Sequence, residues 1–424
     1  MGDPCAGPSL GTLLRRWRLR ALLTQERLAE RAGLNVRTVR RMEGDRLSRP
    51  RAASILLLAD ALGLDGAERA TLNAAVHGPA APAGTPVAVP RQLPADVVAL
   101  VGRDRELAVM TDRLGGAAVP VVCVDGMAGI GKTALAVHAA HRLAPLFPDG
   151  QLFVDLHGHA RGTAPVGPGP VLARVLRALG VPGEHIPWHH DDRAALYRSV
   201  LAGRRFLIVL DDAADEHQIQ PLLPAAPGCR VIVTSRRRLT CHGDARGLTL
   251  GVLPLADAID LFVRVAGRGA DAPVSVLADV VRRCGLLPLA VRIAAARLRT
   301  RPAWEVRHLL DRLARGRLAE LTDGRYGVAD ALDRSYERLP DEQRRAYRLL
   351  GSGGGAVTSA DFGVGAAAAV LGMPAPQAAR LLDELTDVHL LQETGPGRYR
   401  MHDLVREHAA AMWPAAGILR VVPH

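Results

Sequence analysis

Lysine is all but missing from this sequence. Of the 54 Lys and Arg residues in 424, only Lys132 is lysine and all the others are arginine. Aromatic residues make up 3% of the chain against 48% hydrophobic, so any core must be built mostly from Leu, Val and Ala. The five cysteines, Cys5, Cys123, Cys229, Cys241 and Cys284, lie far apart with no CxxC pair. That argues against a zinc site and against a disulfide framework, and it fits a reducing compartment. No apolar run approaches the roughly 20 residues needed to span a bilayer. The first ten residues lack the basic flank and apolar run of a signal peptide, and Ala6 stands where a myristoylation pattern needs Ser or Thr. The expectation is a soluble, cytoplasmic protein. Arginine is abundant alongside Ala, Gly and Pro, as in GC-rich coding, so the net charge of +11 says little about a partner until its distribution is known.

What is present divides the chain. The length suits about three domains at roughly 150 residues each. Residues 1–77 carry short helical patterns, and residues 78–94 are rich in Pro and Ala with no periodicity, as a linker is. Over 95–252, apolar runs such as "VPVVCVDG", "RRFLIVLDDA" and "CRVIVTSRRR" alternate with helical patterns, which predicts a parallel sheet covered on both faces. Residues 253–327 are helical in pattern. Residues 328–412 hold further helices and then "HLLQETGPGRYRMHDL", a hairpin turning on Gly395-Pro396-Gly397. A tail, 413–424, follows. No repeat of 20–50 residues is present.

The lone lysine falls in "GMAGIGKT", Gly126 to Thr133, a full match to G-x-x-x-x-G-K-[ST] between an apolar strand and an amphipathic helix. Gly126, Gly129 and Gly131 let the backbone of the loop, through Ile130 and on to Ala134 just after the motif, curl its N–H groups toward phosphate oxygens. Lys132 supplies a compact charge to the β- and γ-phosphates, and Thr133 a hydroxyl to Mg²⁺. A planar guanidinium cannot replace a point charge in so tight a loop. That is why a chain tolerant of arginine everywhere else keeps lysine here. "RFLIVLDDAAD" places Asp211 and Asp212 at the carboxyl end of a strand, where open α/β sheets bind ligands. Asp211 is the candidate Mg²⁺ ligand, and Asp212 the candidate base that polarises water. Arg236, at the end of "CRVIVTSR" and adjoined by Arg237 and Arg238, is a candidate cation for a γ-phosphate.

At the amino terminus, two short helical patterns flank a turn at Gly33, and Asn35 can cap the second; this fits a helix-turn-helix. Residues 15–51 hold 12 Arg against Glu26, Glu30, Glu43 and Asp45, a net of 12 − 4 = +8. Most of the chain's excess charge is thus local, an electrostatic footprint for a phosphate backbone.

The ordered motifs "LVGRDREL", "GMAGIGKT", "LIVLDDA", "VIVTSR", "CGLLPLAV" and "MHDLVREHA" resemble the NB-ARC family of STAND ATPases over residues 98–412. The resemblance implies a multidomain fold: an all-α helix-turn-helix head, an α/β P-loop NTPase domain with a parallel sheet, a helical lid and a winged-helix domain. It implies that Val101, Gly102 and Arg103 help hold adenine and that Pro288 packs on the base. It also implies that His402 of Met401-His402-Asp403 reaches the β-phosphate of ADP. One departure stands out: the family usually has two glycines before Leu-Pro-Leu, and here the second is Leu286. "GSGGGAVTSADFGVG", residues 351–365, is unusually rich in glycine for that region. The head resembles the Cro/repressor-type helix-turn-helix family. This implies that Thr24 caps the second helix, that Gln25 bonds a phosphate, and that Val36, Arg37, Thr38 and Arg41 face base edges.

Together these features lead to an expectation of a DNA-binding transcriptional regulator switched by ATP and ADP with Mg²⁺, in which slow hydrolysis resets the switch. The alternative is a nucleotide-dependent signalling or immunity-type scaffold whose basic head recruits a protein; a nucleic-acid motor is weakened by the lack of a helicase motif set. Double-stranded DNA is the expected partner, alongside a second copy of the chain on DNA or an ATP-dependent assembly. STAND proteins usually carry a sensor repeat array after the winged helix, and this sequence stops at His424 shortly after the Met-His-Asp motif; the expectation is either a partner protein that supplies the sensor or a short form whose nucleotide switch responds to something else.

Overall fold

The computed structural model describes residues 9–44, 52–65, 68, 71–72, 75, 89–97, 100–116, 121–240, 245–267, 269, 271–324, 326–352 and 361–412. Most of the proline-rich linker at 78–94, the centre of the glycine-rich stretch at 351–365 and the tail at 413–424 lie outside these residues, as do Arg46, Arg49 and Arg51 of the basic cluster. The chain divides into two compact units, residues 1–88 and, apart from Gly183–His185, everything from Val89 on.

The first unit is helical: α1 (Leu10–Arg20), α2 (Gln25–Arg31), α3 (Val36–Glu43) and α4 (Ala52–Ala61). Short polar caps start the helices. Ser9 accepts from the Thr12 amide, Thr24 from the Arg27 amide and Asn35 from the Arg37 amide. Leu14, Trp17, Leu28, Val39, Met42 and Leu58 form the centre of the core.

The second unit is built on five parallel strands, β1 (Val121–Asp125), β2 (Gly150–Asp155), β3 (Phe206–Ala213), β4 (Arg230–Ser235) and β5 (Arg246–Thr249), in the order β2-β3-β4-β1-β5. Alternate residues enter different cores. Val122, Val124, Leu207, Val209 and Ile232 face α5 (Asp104–Gly115) and α6 (Lys132–Leu143). Val121, Cys123, Ile208, Leu210, Val231 and Val233 face α7 (Pro168–Ala178) and α8 (His190–Leu201). Burial on both faces explains the unbroken apolar runs.

The α5/α6 core continues into four helices, α9 (Leu255–Ala266), α10 (Val274–Arg283), α11 (Pro288–Arg299) and α12 (Val306–Arg315). A two-residue antiparallel pair, β6 (Thr322–Asp323) with β7 (Tyr326–Gly327), interrupts what the sequence pattern predicts as helix. The last segment has α13 (Val328–Tyr336), α14 (Asp341–Gly351), α15 (Val364–Leu371), α16 (Ala375–Asp387) and α17 (Asp403–Ala411). They pack with a small sheet in the order β8 (Phe362–Gly363), β10 (Arg398–Arg400), β9 (Gln392–Gly395). The β9–β10 hairpin turns at Pro396-Gly397, with Gly397 at φ +68°. Helices packed with a small antiparallel sheet that ends in a hairpin give this segment the form of a winged helix. Among the described residues, no helix is long and apolar enough to cross a membrane.

A buried ion pair ties together the ends of the first unit's helices. Arg18 donates to Glu43 through Nε (2.6 Å) and Nη2 (3.0 Å), and Gln25 Nε2 donates to the same carboxylate at 2.8 Å. The Glu43 side chain is 1% exposed. Burial by itself pushes its carboxyl up, but the Arg18 and Gln25 hydrogen bonds outweigh burial and hold it below the usual range. A carboxyl depressed in the fold contributes stability at neutral pH that is lost as pH falls from about 4.3 through the folded value. Glu43→Ala leaves the half-buried Arg18 without its counter-charge and with only its bond to the Leu23 carbonyl, so it is expected to destabilise this unit by about 1–3 kcal/mol. Hydrogen exchange of the α3 amides measures the loss, and unchanged protection there contradicts it.

Candidate functional site

Strand β1 ends in buried Asp125, which accepts from Thr249 Oγ1 at 2.7 Å, and the glycine loop begins at the next residue. Gly126, Gly129 and Gly131 all take positive φ. At Gly129 sterics add to conformation, because a Cβ there would sit 2.9 Å from Leu289 Cβ. Helix α6 starts at Lys132, whose Nζ donates back to the carbonyls of Gly126 (2.6 Å) and Met127 (2.9 Å). Burial, helped by the charge of Arg236, pushes the lysine down to about 7 against the pull of Asp212, Asp211 and Asp125.

Thr133 Oγ1 donates to Asp211 Oδ1 at 2.8 Å, and Thr234 Oγ1 donates to the same oxygen at 2.6 Å. Burial raises the Asp211 carboxyl despite these two hydrogen bonds. A hydroxyl and a carboxylate side by side are hard oxygen donors. They fit Mg²⁺, which typically takes one or two protein oxygens and completes its shell with phosphates and water. Among the described residues, no cluster of three or more His, Cys, Asp or Glu offers an all-protein metal site.

Asp212 lies in the left-handed region, φ +51°, a strained conformation for a non-glycine residue. Its carboxylate does not face the loop unengaged, as a base would. Oδ2 accepts the His159 amide (2.8 Å), while Oδ1 meets His159 Nδ1 (2.9 Å) and Arg236 Nε (3.7 Å). Burial opposes ionisation, but His159 and Arg236 together hold the carboxyl well below the ordinary range, which makes it a weak base. Arg236 Nη1 donates onward to Ala331 O (2.7 Å) and Ser335 Oγ (3.1 Å) on α13. Burial lowers its pKa to about 10. His159, which lies in no motif, and Thr234, which lies within "VIVTSR" but was assigned no role there, are the partners that reasoning from sequence missed.

These groups line a cavity of about 490 Å³. Its walls come from the glycine loop, the strand ends, the helical segment (Pro288, Leu289 and Arg292) and the winged helix (Arg334). Leu289 N donates to Gly129 O at 3.1 Å, fastening α11 to the loop. Lys132, Arg236, Arg292 and Arg334 set four cations against Asp155, Asp211 and Asp212.

Other candidates sit differently from the resemblance. Arg103 is 4% exposed and its guanidinium is an internal clamp, donating to Ile130 O (3.2 Å), Gly251 O (2.6 Å) and Glu106 (2.8 Å). Gly102 has φ +67° with Asp257 against it, and Val101 packs on the core. None of the three lines the cavity. His402 does not line it either. Its Nδ1 accepts from Leu404 N (3.2 Å), so Nε2 carries the proton and donates to Gly285 O (2.8 Å). Burial lowers its pKa. Leu286, at the position of the missing glycine, has φ +54°, which is the conformation glycine takes without strain.

In the first unit, Arg37 and Arg41 of α3 are exposed, and Val36 and Thr38 are half-buried. Neighbouring Arg18, Arg20, Arg27 and Arg40 pair with Glu43, Glu68, Glu30 and Glu26. Among the described residues, Arg37 and Arg41 make no ion pair. Gln25 bonds Glu43, so its amide N–H faces inward rather than toward a phosphate.

Residues 9–72 match the helix-turn-helix domain family and residues 104–271 match the NB-ARC domain family. The chain is 44% identical over 333 residues to the regulatory protein AfsR of Streptomyces coelicolor, with 76% of this chain and 33% of the relative covered. It is 45% identical over 330 residues to AfsR of Streptomyces griseus, with the same coverage. The chain therefore spans about a third of the length of the curated relatives it matches. Among solved structures, a STAND protein with a tetratricopeptide repeat sensor from Pyrococcus horikoshii superposes with a TM-score of 0.37 at 18% identity, covering 77% of this chain and 44% of that one.

The contact between His402 and Gly285 can be tested for its worth. A Cβ at Gly285 would lie 2.4 Å from His402 Cε1, and the residue sits at φ +62°. Gly285→Ala is therefore expected to cost about 1–3 kcal/mol in backbone strain and to displace the histidine. Leu286→Gly should be near neutral, relief of strain offsetting the greater freedom of the unfolded chain. Thermal unfolding of the two variants checks the contrast; equal melting points would refute it.

Proposed function

On the premise that the chain carries a helix-turn-helix domain followed by an NB-ARC domain, we propose a DNA-binding transcriptional regulator switched by the nucleotide held in this cavity. The observation that carries the reading is that one cavity is walled by the glycine loop, the helical lid and the winged helix together. A polyphosphate there would contact cations from all three, so its identity and the packing of those segments are thermodynamically linked. Lys132 would grip the β- and γ-phosphates, Thr133 and Asp211 would hold Mg²⁺, and Mg²⁺ would bridge phosphate oxygens. Pro288 and Leu289 offer an apolar wall for a base. Arg236 would meet the terminal phosphate while it holds α13.

Hydrolysis would be slow. Asp212, paired with His159 and Arg236, is too weak a base to take a proton readily from water. Slow hydrolysis suits a switch that is reset rather than an enzyme that turns over. ATP need only bind the open arrangement more tightly than the closed one; moving the ratio from 1:99 to 99:1 takes about 5.5 kcal/mol of differential affinity. In the helix-turn-helix, the exposed face of α3 would enter the major groove, with Arg37 or Arg41 bidentate to guanine.

Two measurements test the reading. Calorimetry with Mg-ADP is expected to show binding that Lys132→Ala abolishes, and Lys132→Arg is expected to fail nearly as fully, because the loop holds a point charge and not a fork. A folded chain that ignores both ADP and ATP refutes the switch. On duplex DNA, Arg37→Ala with Arg41→Ala is expected to remove about 1–3 kcal/mol of sequence discrimination per arginine while leaving salt-dependent non-specific binding. No duplex binding in either nucleotide state favours the protein-recruiting scaffold instead.

A further inference from the structure

We propose that the winged helix touches the nucleotide's phosphates through Arg334, and that His402 is a helix cap that ties the winged helix to the lid. The inference rests on the nucleotide-binding reading above and assigns the phosphate contact within it. Both ring nitrogens of His402 are engaged, Nδ1 by the Leu404 amide and Nε2 by the Gly285 carbonyl, and the ring is not part of the cavity wall. A neutral imidazole with its one proton on a carbonyl has no donor left for a phosphate.

Arg334 has what His402 lacks. It is the only described residue of the winged helix that lines the cavity, alongside Lys132, Arg236 and Arg292. Its Nε donates to Asp330 O of its own helix at 3.2 Å, which orients the guanidinium. Among the described residues no ion pair occupies its terminal amines, so they can form a fork on a phosphate. Arg236 stands close enough for the two like charges to oppose each other in a partly desolvated site. An anion between them turns that repulsion into attraction on both sides. Arg292 cannot report on the winged helix, because its helix is fastened to the glycine loop through Leu289. Arg334 sits one turn from Ala331 and beside Ser335, the two residues of α13 that Arg236 grips. One helix thus carries both the cation that meets the ligand and the acceptors for the cation that senses it.

The test compares ADP with AMP by calorimetry on the full chain. The wild type is expected to prefer ADP. Arg334→Ala is expected to weaken ADP by about tenfold or more, the scale of a charge-assisted hydrogen bond, while AMP affinity stays within about twofold, since the lost contact is to the outer phosphate. Arg334→Lys should restore part of the preference. Arg338→Ala, which removes an exposed arginine that bonds Thr163 O outside the cavity, should leave both affinities unchanged. An unchanged ADP-to-AMP ratio in Arg334→Ala, or equal weakening of both ligands, overturns the inference and leaves nucleotide binding standing. A wild type that binds neither ligand overturns both.

Discussion

A lysine ammonium folded onto two carbonyls of its own loop is the constraint on which the rest of the second unit depends. Lys132 is buried, and burial alone opposes its charge. It keeps two hydrogen bonds, to Gly126 and Met127, where an ammonium has three donors to place. The loop must therefore curl tightly enough for carbonyls to reach the side chain, which is why its glycines sit at positive φ. It must also be backed closely, and Leu289 supplies that backing at a distance only glycine permits at position 129. Arg103 reinforces the same loop from the far side through the Ile130 carbonyl. Arginine at 132 would add a planar fork where the carbonyls have closed on a point.

Charge arrangement extends the constraint outward. Asp211 and Asp212 are adjacent in sequence and opposite in character. The first is raised by burial and sits with two hydroxyls; the second is depressed by a histidine and an arginine. Such divergence between neighbouring carboxylates marks a division of roles. The left-handed turn at Asp212 is what separates them, since it directs one side chain to Thr133 and the other to His159. Arg236 then links this pair to α13, so the strand end and the winged helix share one guanidinium.

The sequence made the scaffold legible and left the partners hidden. The glycine loop, the both-faces-buried sheet, the capped α2 and α3 and the turn at Gly397 are all local patterns, each set by residues a few positions apart. His159 was not visible because its significance comes only from Asp212, 53 positions away. Arg103 and His402 stand in recognisable motifs, yet what they bond is fixed by Gly251 and Gly285, 148 and 117 positions distant. A motif specifies which residue is kept, whereas packing specifies which atom it meets. Leu286 shows the reverse case. Its departure from the family pattern is legible, and only the backbone angle of +54° explains why glycine is the usual occupant.

The kinds of contact differ between the two boundaries of the cavity, and that difference indicates where it can open. The lid meets the loop through apolar groups, Leu287 and Leu289 against Gly129, continuous with the main core. The winged helix meets the strand ends largely through polar groups: Arg236 on Ala331 and Ser335, exposed Arg161 near Asp330 and Asp333, the Arg238 amide on Asp387 O. His389 Nε2 lies 2.8 Å from Asp125 Oδ1, off the line of a hydrogen bond. Water can replace polar partners at small net cost, since a typical hydrogen bond is worth about 0.5–1.5 kcal/mol net. It cannot replace apolar contact so cheaply. Separation at the strand ends is therefore favoured over separation of lid from loop, and the cations at that boundary, Arg236 and Arg334, are the ones whose mutual repulsion a bound anion would relieve.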